Sequence, residues 1–204
     1  MTDDVTHRPD PSHGITGRVL GVAGILGGLF LLAAFVVDIP PNVNTARIYA
    51  FLIGSLAVVV GVSSRVGGVA PGRAWVAALP ALLGIGGLLV WELLATGRPS
   101  PFAGDFGLVG FYLALLSWLG SAWFGLMTFR MGGLARWAAL ALAVGSVLAV
   151  LGIDRLGLTS SSEPTIFGPI SLVGIALSGI AWVLLGLDLL LRAQPHQARI
   201  SSSA

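Results

Sequence analysis

Residues 73–95 read RAWVAALPALLGIGGLLVWELLA, and between Arg73 and Glu92 stand eighteen residues without a charge. At 1.5 Å per residue, about 20 apolar residues in a helix cross a hydrocarbon core roughly 30 Å thick. The apolar residues run on without polar intervals, so the segment lacks the one-sided stripe of a helix half in water. It predicts a transmembrane helix. Pro80 within it removes one backbone donor, the partner of the Val76 carbonyl, and predicts a kink there.

Five further apolar blocks flank this one, at about residues 18–37, 46–64, 107–129, 134–153 and 167–191. The turn Asp38-Ile39-Pro40-Pro41-Asn42 separates the first two, because adjacent prolines cannot continue a helix. The predicted fold is all-α: a polytopic bundle of about six transmembrane helices with short loops, spanning residues 18–192. Residues 1–17 and 193–204 are polar, have little to bury and read as disordered tails. The first block follows a polar, acidic tail and precedes no small-residue cleavage site, so it is expected to stay as the first span.

Composition agrees with this reading. Of 204 residues, 55% are hydrophobic and only 10% charged, too few charges to cover a water-soluble surface. All eleven basic residues are arginine, a usage that, with the many Ala, Gly and Val, points to a GC-rich bacterial genome and an inner-membrane location. Eight arginines (8, 18, 65, 73, 130, 136, 192 and 199) fall on the side of the tails, against Arg47, Arg98 and Arg155 on the other. The bias predicts that both termini are cytoplasmic. Basic residues confined to helix ends exclude nucleic-acid binding as an expectation.

Catalytic chemistry finds few of its usual residues. The chain has no cysteine, and His7, His13 and His196 all fall in the predicted tails. No histidine is therefore expected at membrane depth to serve as base or to ligate haem, copper or zinc. Neither a catalytic nor a metal site is predicted, and no cofactor. A pigment or lipid held without histidine would leave no mark in the sequence.

Other residues are candidates for binding or assembly. Glu92 lies about one turn from the outer end of its span, where a carboxylate needs a partner or a function. Arg47 and Arg155 are the candidate partners, and an ion or substrate contact is the functional alternative. Asp188 and Arg192 stand four residues apart, the spacing of a helical ion pair. Small residues recur at helical spacing in three spans: Gly17, Gly21, Gly24 and Gly28; Ser117, Ser121 and Gly125; Ser171, Gly174 and Ser178. In lipid such faces let helices approach closely, and these three spans are expected to make the closest contacts, within the bundle or with another subunit. Trp75, Trp137 and Phe129 read as an inner aromatic belt, and Trp91, Tyr49, Phe102 and Phe106 as an outer one. Trp118, Trp123 and Trp182 lie deeper and are expected to face other helices, a lipid or a flat cofactor, since an indole N–H seeks a partner.

Two functions follow as expectations. The first is a non-catalytic accessory or structural subunit, packed in the bilayer against other membrane subunits. The second is a small-solute transporter or substrate-capturing component using Glu92 and the Pro80 kink.

Overall fold

A computed structural model describes residues 12–33, 41–67, 71–95, 104–131, 136–151 and 169–192, all of them helical. These are α1 (Ser12–Ala33), α2 (Pro41–Gly67), α3 (Pro71–Ala95), α4 (Gly104–Met131), α5 (Arg136–Leu151) and α6 (Pro169–Arg192). The chain is an all-α membrane bundle. Five of the helices are long and apolar enough to cross a bilayer, and α5 is the shorter one. Its 16 described residues reach about 24 Å, against the roughly 30 Å of a hydrocarbon core.

Several helices start earlier than the hydropathy blocks suggest. α1 begins at Ser12, α2 at Pro41 and α3 at Pro71, whereas the apolar runs begin near 18, 46 and 73. Hydropathy marks where lipid begins, but backbone hydrogen bonding continues past that level. Pro41, Pro71 and Pro169 each open a helix, where the fixed φ suits the first turn and the missing N–H is not needed. Residues 34–37 of the first block lie outside the described residues.

The helices pack in chain order, each against the next, and α6 closes back onto α1. Contacts along each pair run in opposite directions. Gly21 lies by Leu190 and Gly28 by Gly179; Gly84 lies by Ser117 and Gly120 by Pro80; Gly145 lies by Ser178 and Ala149 by Gly174. The start of α1, the end of α2 and the end of α6 therefore share one end of the bundle. α2 also touches α6 directly, behind α1.

The core is built by α2 to α6. Leu52, Val58 and Val59 of α2 meet Ala78, Ala81 and Ile85 of α3, Phe124 of α4, Leu142 of α5, and Trp182 and Leu185 of α6. Among the described residues, α1 contributes no apolar side chain to that core. Its buried positions are glycines, Gly21, Gly24, Gly27 and Gly28, which let its backbone lie on α2 and α6. Large apolar side chains point outward from every helix, the surface expected against lipid.

α3 stays helical through Pro80. The Pro80 carbonyl faces Gly120, where a Cβ on α4 would collide with it. That stretch of α3 is thus pressed against α4.

Candidate functional site

The small-residue faces are largely consumed by the bundle itself. Gly21 and Gly28 abut α6 at Gly186 and Gly179, and Gly24 abuts both Val58 of α2 and Gly186. Gly17 is partly exposed near the start of α1. On α6, the Ser171 hydroxyl donates to the Ala149 carbonyl at 2.8 Å, and Ser178 lies 3.5 Å from the Ser146 hydroxyl. Gly174 meets the backbone of Ala149 and Gly145. On α4, Ser117 backs onto Gly84 of α3, Gly125 backs onto Ala139 and Ala143 of α5, and the Ser121 hydroxyl bonds the Ser117 carbonyl at 2.7 Å.

Each of the three small-residue faces meets a neighbouring helix, though not all three meet one another. α1 packs on α6 and α2, whereas α4 packs on α3 and α5. Small residues show that a helix has a close neighbour but do not say which one. Equally close approaches at Gly27–Gly54, Gly84–Ser117 and Gly145–Gly174 complete the set.

Two polar ties hold α2 to its neighbours at opposite ends. At one end the Tyr49 hydroxyl donates to the Glu92 carbonyl at 3.1 Å, fixing the start of α2 against the end of α3. Arg47 and Glu92, both half-buried, therefore stand at the same end of the bundle. Arg155 lies outside the described residues. At the other end, Arg65 donates to the carbonyls of Asp188 and Leu189, both at 3.2 Å, and its guanidinium lies 3.9 Å from the Asp188 carboxylate. The carbonyls of a last helical turn lack intrahelical donors and carry partial negative charge, so a guanidinium suits them. An i,i+4 reading of Asp188 misses this partner, because Arg65 is 123 residues away.

Replacing Arg65 by Ala removes the guanidinium donations to those two carbonyls. With a side chain about one-third exposed, we expect a loss of about 2 kcal/mol. Unfolding in micelles measures it, and Arg65→Lys, a single point charge, should restore only part.

The deep aromatics separate by environment. Trp182 is fully buried, and among the described residues its indole nitrogen has no hydrogen-bond partner, nor do the buried hydroxyls of Ser63 and Thr128. Trp118 stacks on Phe51, ring centroids 6.5 Å apart and planes at 28°, linking α4 to α2. Trp123 is 43% exposed on the lipid side of α4. Trp91, read as a belt residue, is buried instead, because Gly110 leaves room for its ring. Trp137 is exposed, beside Phe129 at 6.2 Å, and Arg136 lies 4.8 Å over the Phe129 ring. Among the described residues, no group of three or more histidines or carboxylates could hold a metal.

One mid-helix glycine stands apart, the other open one being Gly72 at the very start of α3. A Cβ added at Gly86 would meet nothing within 4 Å, although the residue lies mid-helix in α3. It follows the exposed Leu79 and Leu83 and precedes Val90, at spacings of three and four that place them on one outward stripe. Comparisons with protein-family models, curated proteins and solved structures find no match for this chain.

Proposed function

We propose that this chain is a non-catalytic component of a bacterial inner membrane, an accessory or structural subunit packed within a larger membrane complex. The observation that carries the reading is Gly86. Most glycines along these helices are pressed against a neighbouring helix, whereas Gly86 opens a small-residue gap in an apolar outward stripe. Lipid gains nothing from a glycine there, and glycine costs about 1 kcal/mol against alanine in a helix. A second helix gains close backbone approach. The occupant is a transmembrane helix of another subunit. The arginine bias supports placing the end of the bundle that carries Arg18 and Arg65 at the cytoplasm, and α5 serves as the sixth crossing.

The test is Gly86→Leu. The variant should fold as the parent does but migrate alone on native gels, where the parent migrates with its partner.

The second reading, capture or transport of a small solute, draws on one arrangement. Half-buried Glu92 sits by the Tyr49 tie, and the Phe51–Trp118 pair begins two residues further along α2. Glu92→Gln separates the two readings. If Glu92 anchors the helix end, assembly and stability change by about 1 kcal/mol or less. A stable Glu92→Gln protein whose solute uptake falls by orders of magnitude would favour transport.

A further inference from the structure

The lipid side of α1 carries a groove of about 400 Å³ lined by Arg18, Val19, Val22, Ala23 and Leu26. Its size is that of a small-ligand site. The lining is almost wholly apolar, with the Arg18 stem at one end; Arg18 is exposed and has no acidic partner among the described residues. Arg18 lies about two turns into α1, where the polar N-terminal segment gives way to the apolar run. An arginine at the start of an apolar run suits the headgroup level, with the apolar side chains beyond it facing acyl chains.

We propose that this groove is a phospholipid site, with the phosphate on the Arg18 guanidinium and an acyl chain along Val22 and Leu26. Charge complementarity selects this occupant over a partner helix. An apolar helix would leave the Arg18 charge at the rim unanswered, whereas a phospholipid supplies an anion and an apolar tail one groove-length apart. The opposite side of α1 is held by glycine contacts with α2 and α6, so the lipid would cover the least enclosed helix of the bundle.

The full chain, purified in mild detergent, is the material for the test, and native mass spectrometry with added phosphatidylglycerol is the readout. The parent should retain one lipid that detergent washing removes slowly. Arg18→Gln should weaken retention about fivefold, the effect of one interfacial charge. Val22→Trp, on an already exposed position, should fill the groove and weaken it further. Arg130→Gln, an exposed arginine on α4, should leave retention unchanged. Retention equal to the parent in Arg18→Gln or in Val22→Trp would overturn the proposal. So would an equal loss in Arg130→Gln, or a parent that carries detergent alone.

Discussion

Gly84→Leu should leave no properly folded protein, while Gly86→Leu, two residues along the same helix, should fold normally. A Cβ at position 84 would lie about 2.5 Å from the Ser117 Cα and 2.6 Å from the Leu116 carbonyl carbon. Those are backbone atoms of α4 and cannot turn aside as a side chain tip can. Relief requires α3 and α4 to separate along a contact that also holds Pro80 against Gly120 and Trp91 against Gly110. Overpacking of an ordinary core costs about 1–3 kcal/mol. With backbone on both sides and three more leucine carbons to place, the cost should exceed that range. At Gly86 the added side chain meets open space, and leucine's better helix propensity returns up to about 1 kcal/mol. Size-exclusion profile and thermal unfolding in detergent distinguish the two variants directly.

The second large effect concerns α1. Replacing Gly24 and Gly28 together by leucine should detach this helix from the bundle. A Cβ at Gly28 falls 2.8 Å from the Gly179 carbonyl oxygen and 2.9 Å from the Val183 nitrogen, and one at Gly24 collides with the Val58 side chain. Val58 could yield, but the α6 backbone could not. Among its described residues α1 fully buries no large side chain, and the half-buried Leu20 and Leu32, which face Gly61 and Gly179, lose those seats once the backbones are forced apart. Limited proteolysis should then cut the chain between α1 and α2 and leave α2 to α6 as a resistant fragment. A double variant with unaltered proteolysis and melting would refute this account of how α1 is held.

Much of the fold was legible because lipid imposes a simple rule on sequence. Long charge-free runs such as 74–91 mark a helix regardless of its neighbours. Helix starts were less legible, since Ser12 and Pro41 lie in polar sequence that hydropathy cannot assign. Pairing was less legible still. Ser117 and Gly125 share a face by spacing, yet one meets α3 and the other α5, a division set by the ring arrangement of the bundle. The Arg65 tie to the end of α6 was missed for the same reason, since the chain order of charges favours local pairs such as Asp188 and Arg192. Trp91 reads as a belt residue by position, and only the facing Gly110 shows why its ring turns inward. Gly86 stands beside Gly87 in sequence, and nothing in the string separates the glycine pressed on Leu113 from the one left open.

The open stripe of α3 is where the proposed function is decided. The most direct measurement places a photo-crosslinking residue at position 83, beside Gly86, and at position 147 on the exposed face of α5, in cells at native expression. The account predicts a discrete crosslink from position 83 to one membrane protein of another sequence, lost when Gly86 is also leucine, and none from position 147. Crosslinks from position 83 only to lipid or to a second copy of this chain, or ones that persist with Gly86→Leu, would contradict it.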